Sequence, residues 1–164
     1  MNLTGSIIQK VLDSIGTLIH LRSLDFDETD ISYLPESIGS LTYLQILNLQ
    51  RCPNLHRLPL AIYKLCNLRR LGLDGTPINQ VPKGIGELKS LNDLEGFPIA
   101  GSNVNSARMQ DGWDLEELDP LWQLRRLDMI KLESKDTLLA NKKISENYCY
   151  VALNTHMSHI LKML

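Results

Sequence analysis

The chain repeats itself every 23 or 24 residues, and that period limits its fold more than any other feature. Segments beginning at Leu18, Leu41, Leu65 and Leu88 bring the leucines into register as Leu18/Leu21/Leu24, Leu41/Leu44/Leu47, Leu65/Leu68/Leu71 and Leu88/Leu91/Leu94. A second register follows: Ile31, Leu55 and Ile78 align, then Leu34, Leu58 and Val81, then Pro35, Pro59 and Pro82, then Ile38, Ile62 and Ile85. A unit this short cannot bury its apolar side chains alone, so successive units must stack and share one apolar spine.

Within a unit, Leu24 and Phe26 alternate at period two, which makes a short strand with its apolar side chains on one face and the intervening ones turned to solvent. Thr29, Cys52 and Thr76 fall three residues after the last apolar residue of each strand. A small polar or thiol side chain there satisfies backbone groups inside the turn. The Leu-Pro dipeptide removes a backbone donor and fixes φ, which suits an irregular or short 3₁₀ return; Leu12 stands where the other units carry proline. Together these spacings are those of a leucine-rich repeat. The fold class expected is α/β: a curved leucine-rich-repeat solenoid with short parallel strands on the concave face and irregular or 3₁₀ segments on the convex side.

Residues 1–95 divide into regular repeats of which the first is truncated, because Leu3, Ser6, Ile8, Val11 and Ile15 align with Phe26, Thr29, Ile31, Leu34 and Ile38. The chain is therefore expected to start inside a repeat, without the polar cap that covers the end of such a stack. After Leu94 the pattern falters. Gly96-Phe97-Pro98-Ile99-Ala100-Gly101-Ser102-Asn103 is rich in turn formers, and the step from Leu91 to Leu124 is 33 residues. Residues 96–117, Trp113 among them, are expected to form an insertion loop, and residues 118–132 a further repeat. Residues 133–164 do not fit the repeat. Val151, Leu153, Met157, Ile160, Leu161 and Leu164 fall on one side of a short helix that would cap the last coil, the alternative being a disordered tail.

Composition fits a leucine spine, with 43% hydrophobic but only 5% aromatic residues. The formal net charge of −2 gives no general attraction to nucleic acid. No run of apolar residues approaches the length of a membrane span. The N-terminus lacks the basic and apolar order of a signal peptide. Three cysteines without paired spacing form no disulfide framework, which suits a reducing, cytoplasmic location. Gly84-Ile85-Gly86 aligns with Ser37-Ile38-Gly39 and belongs to a turn, and no G-x-x-x-x-G-K-[ST] occurs. Cys149, His156 and His159 have no C-x-x-C partner and do not make a convincing metal site. No nucleophile, base and orienter set stands outside the repeat, so the chain reads as noncatalytic, with no cofactor or metal.

What remains is the concave face. Alternation turns Ser23, Ile46 and Gly72 to solvent, and with them the candidate protein-binding residues Asp25, Asp27, Asn48, Gln50, Arg51, Arg70, Asp74, Asp93, Glu95, Arg126, Asp128 and Lys131. Charged side chains at fixed spacing complement a protein surface and give specificity more than bulk affinity. Arg51 and Arg70 stand out for bidentate pairing with a partner's carboxylates.

Ile31-Ser32-Tyr33-Leu34-Pro35-Glu36-Ser37-Ile38-Gly39, Cys52-Pro53-Asn54-Leu55, Leu71-Gly72-Leu73-Asp74-Gly75-Thr76-Pro77-Ile78 and the Leu94-Glu95-Gly96-Phe97-Pro98-Ile99 segment resemble the repeat region of plant, cereal-like, coiled-coil nucleotide-binding leucine-rich-repeat disease-resistance proteins. The resemblance covers residues 1–132. It implies a module that senses a pathogen effector or a guarded host protein and restrains a nucleotide-binding module, with ADP/ATP bound only in that other module, which this chain does not contain. The repeats are also similar to those of small intracellular plant Ras-group leucine-rich-repeat scaffolds. A receptor-kinase ectodomain is a third reading, with Asn2-Leu3-Thr4 as its one glycosylation match.

Overall fold

The computed structural model describes residues 1–78, 84–99, 118–131 and 148–152, with residues 99, 129–131 and 148–152 described by backbone alone. Each repeat contributes one strand: β1 (Ser23–Asp25), β2 (Ile46–Asn48), β3 (Arg70–Gly72), β4 (Asp93–Ile99) and β5 (Arg126–Lys131). They pair in parallel in chain order, which brings Leu24, Leu47, Leu71, Leu94 and Leu127 into one row across adjacent rungs. The first four of that row are 0% exposed. Burying a leucine fully is worth roughly 1.5–3 kcal/mol, so this row and its neighbours supply the main cohesion between coils. The partial unit at the N-terminus stacks as its alignment requires. Asn2 bridges to Asp25, and the Leu3 amide donates to the Asp25 carbonyl just as the Phe26 amide donates to that of Asn48.

Among the described residues the return path runs through four 3₁₀ turns: η1 (Asp13–Thr17), η2 (Glu36–Ser40), η3 (Leu60–Lys64) and η4 (Ile85–Glu87). Pro35 and Pro59 enter theirs with φ of −71° and −68°. Leu12 reaches the same conformation, φ −79° and ψ 151°, without the ring, so the missing proline leaves the coil's path unchanged. Consecutive turns are joined side to side. Both carboxylate oxygens of Glu36 accept backbone amides of the next coil, from Leu60 at 3.0 Å and Ala61 at 2.8 Å, and so occupy two donors that the start of η3 leaves without a partner.

The turn that follows each strand is built alike. Thr29 and Thr76 donate within their own turns, to the carbonyls of Phe26 and Leu73 at 2.7 Å, as expected, whereas the Cys52 thiol donates to the Phe26 carbonyl of the preceding coil at 3.1 Å. Just before them, Gly5, Glu28, Arg51 and Gly75 take φ values of 67°, 56°, 52° and 70°. A left-handed residue therefore recurs once per coil. Where it is not glycine it costs about 1–2 kcal/mol, offset by the amide bonds that Glu28 and Arg51 make to the next rung.

Two expectations are corrected. Gly96-Phe97-Pro98-Ile99, assigned to the insertion loop, is the second half of β4. Gly96 at φ 74° forms a bulge between Leu94 and Phe97, after which Phe97 is fully buried and pairing with β5 resumes. Pro98 stands opposite Ile130 in this resumed pairing. The other correction lies in the tail, where the helical reading included Val151. Tyr148–Ala152 is instead strand β6, antiparallel to β5. Aromatic and β-branched residues favour a strand, and β5 offers it a free edge. The rest of the insertion, with Trp113, and residues 132–147 and 153–164 lie outside the described residues.

Burial differs along the stack. Leu18 is 45% exposed, whereas Leu41, Leu65 and Leu88 are 0% exposed.

Candidate functional site: a charged ladder on the strand face

The solvent side of the sheet carries the polar residues marked by alternation, but most of them are engaged with one another. Asp25 and Asn48 each turn one oxygen onto their own chain, accepting the amides of Asp27 at 3.0 Å and Gln50 at 3.3 Å. This local bond fixes the exit from the strand. Asp27 and Glu95, expected in solvent, are buried at 8% and 4% exposure. Arginines from neighbouring rungs cover them.

Arg51 pairs with Asp27 on the preceding rung and with Glu28 at 2.9 Å. Arg70 and Arg126, one rung to each side of β4, converge on Glu95 at 2.9 and 2.8 Å. Both also lie 3.8 Å from Asp93, which stands between them in the register. Gln50 reaches Glu95 from two rungs away. That reach depends on Gly72, since a Cβ there would lie 2.9 Å from the Asn48 side-chain oxygen and 3.1 Å from Gln50 Cγ. A missing side chain on the third rung thus opens the path that ties the second rung to the fourth. The guanidinium groups of Arg51 and Arg70, marked for a partner's carboxylates, already hold carboxylates of their own chain.

The remaining acids are less well served. Asp74 Oδ1, Asp93 Oδ1 and Asp128 Oδ1 are buried without a hydrogen-bond donor. Burial pushes the Asp93 carboxyl above its ordinary value of 3.8, Glu95 pushes it further, and Arg126 and Arg70 pull it back. Asp128, opposite the bulge, is raised by burial and then by Asp74, against the pull of Arg126. A raised carboxyl binds its proton more tightly in the folded state, so each of these groups contributes a loss of stability as pH climbs from 3.8 through its folded value. Asp128→Asn is accordingly expected to flatten that fall in a urea-melt pH series. At neutral pH it should leave stability equal to the parent's or higher by up to about 0.5 kcal/mol.

Lys131 lies on β5 with its backbone alone described. Ile46, at 39% exposure, is an apolar side chain open on this face, beside Arg70 in the register. Alternation within the strands leaves out the residue before each one: Arg22, Gln45, Arg69, Asn92 and Arg125. The signal was present in the sequence as the position after the second leucine of each repeat. Among the described residues no cluster of three or more His, Cys, Asp or Glu side chains is arranged to hold a metal, and no helix is long and apolar enough to cross a membrane.

A parallel ladder with one leucine spine and 3₁₀ returns defines a leucine-rich-repeat solenoid. A family model for the leucine-rich repeat region matches residues 3–152, and the chain belongs to that family. Among solved structures it is similar to a leucine-rich-repeat protein of Leptospira interrogans, with 25% identity and a TM-score of 0.47 over 79% of this chain and 36% of that one. The chain thus spans little more than a third of that protein's length. No curated protein matches it. Domains of this family typically bind proteins and are typically noncatalytic.

Proposed function

We propose that this chain is the noncatalytic recognition module of a plant intracellular immune receptor, using the strand face to bind an effector, a guarded host protein or the receptor's own nucleotide-binding module. The observation that carries the binding role is the strand face itself, where inter-rung ion pairs hold solvent-side groups in fixed register around the open Ile46. A surface ordered before binding loses little entropy when a partner arrives. The plant-receptor part rests on the repeat phrases and the Gly-Phe segment at Gly96-Phe97. ADP or ATP would belong to the other module, and the compartment would be the cytoplasm. The small Ras-group-like scaffold is the second reading, favoured by the regular Leu-Pro and Ile-Gly returns.

Sequencing the transcript upstream of Met1 separates the two readings, since an in-frame P-loop is expected for the receptor and none for the scaffold. The encoded upstream module, expressed separately, should then co-precipitate with this chain and lose at least about fivefold of that binding to Ile46→Asp. An upstream module that ignored both the parent chain and the variant would sink the autoinhibitory role.

A further inference from the structure

The arginines on the strands are paired, but among the described residues those just before the strands meet no carboxylate. Arg22, Gln45, Arg69, Asn92 and Arg125 form a continuous backbone ladder in which each residue's amide donates to the carbonyl of the one before at 2.8 Å. Arg22, Arg69 and Arg125 are exposed, and among the described residues no carboxylate pairs with them. Rungs lie about 4.8 Å apart, so these guanidinium groups recur every second rung, about 10 Å from one to the next.

Next to the row, Tyr43 is 53% exposed with its ring centroid 5.7 Å from that of His20, and Trp122 is 77% exposed. Arginine, tyrosine and tryptophan are the side chains that most often anchor protein interfaces. Beyond the row, toward the strand ends, the face carries the half-buried acids Asp25, Asp74 and Asp128. The two borders have opposite sign.

We propose that Arg22, Arg69 and Arg125 form a docking line for an acidic stretch of a protein partner that crosses the rungs, its carboxylates spaced about 10 Å apart. This rests on the reading of the strand face as a protein-binding surface and adds the partner's chemistry and direction. In a polyproline-II segment three residues complete one turn and rise about 9 Å, so acids at every third position share a face and meet successive arginines. The acidic border faces basic side chains of the same partner and fixes which way round it lies. A nucleic acid fits less well, because its continuous phosphate charge would also be brought against Asp25, Asp74 and Asp128.

The test is an NMR titration of the full chain, labelled with ¹⁵N and observed at the arginine Nε–Hε signals in low salt. Its probes are a short Gly/Ser peptide with glutamate at every third position, the same composition with the glutamates contiguous, and a short oligothymidylate. The spaced peptide is expected to move the Arg22, Arg69 and Arg125 signals. It should also bind about tenfold more weakly to the exposed-surface variant R22E/R69E/R125E, as three exposed ion pairs imply. Equal binding of both peptides, shifts confined to Arg51 and Arg70, no binding, or tighter binding of the oligonucleotide would each overturn the docking line. None of these touches the Ile46 result, so the row can fail while the strand-face reading stands. Peptide capture by a chain whose upstream module ignores Ile46→Asp would leave the row and remove the receptor reading.

Discussion

Gly96→Ala is expected to destabilise the domain by about 3 kcal/mol or more, the sum of a left-handed alanine and an overpacked contact. The added Cβ would lie 2.3 Å from the Asp74 amide nitrogen and 2.5 Å from Asp74 Cα, both backbone atoms that cannot rotate away. Relief requires the end of β3 to separate from the bulge in β4, and with it the Leu73 amide bond to the Glu95 carbonyl, 2.7 Å long. Phe97 would then lose the kink that turns it inward. Gly5→Ala is the control: its φ is similar, at 67°, but nothing lies within 4 Å of the added carbon. That variant pays the conformational cost alone, roughly 1–2 kcal/mol. Urea unfolding followed by circular dichroism measures both, and equal losses in the two variants would show that the Asp74 contact is not tight.

Leu71→Ala is expected to cost about 3 kcal/mol, within the range of 2–5 kcal/mol for emptying a closed core site. Leu71 is 0% exposed on the central rung, paired with Leu47 on one side and Leu94 on the other. In a solenoid each coil is stabilised by its neighbours, so a cavity here weakens two interfaces at once. Faster hydrogen exchange is expected at the amides of Leu49 and Leu73, which bond to Gly72 and Glu95. Leu18→Ala should lose less than about 1 kcal/mol, because that leucine is already 45% exposed and removes little further area from water. Comparable losses at the two positions would mean that the spine does not concentrate stability in the middle rungs.

The leucine row was legible because one residue type at one spacing has only one way to be buried in a stack. Leu24, Leu47, Leu71 and Leu94 stand opposite each other as their alignment requires, Thr29 and Thr76 close their turns, and Cys52 donates to the preceding coil's turn. The stacking of the first residues on the next coil was legible for the same reason, since Asn2 and Leu3 meet Asp25. Gly96 was harder to read, since glycine next to proline signals a turn locally, whereas here the pairing with β5 imposes a bulge and the strand continues. The ionic state of the strand face was misread for a different reason. Alternation says which way a side chain leaves the strand but not what it then meets. Arg51 lies 24 residues from Asp27 and Arg70 lies 25 from Glu95, about one repeat in each case, so acids and bases aligned across repeats become neighbours. That comparison between columns, rather than within one strand, was the available signal.

Glu36 carries a consequence for how the coils can be rearranged. By sequence the units look interchangeable, yet the second reaches out to hold the third through the Leu60 and Ala61 amides, while Asp13 in the corresponding place one unit earlier makes no such bond. A permuted or duplicated array would keep its spine and still lose this clasp wherever the unit containing Glu36 no longer precedes the one containing Leu60. The identity of a coil in this protein therefore includes the order of its neighbours.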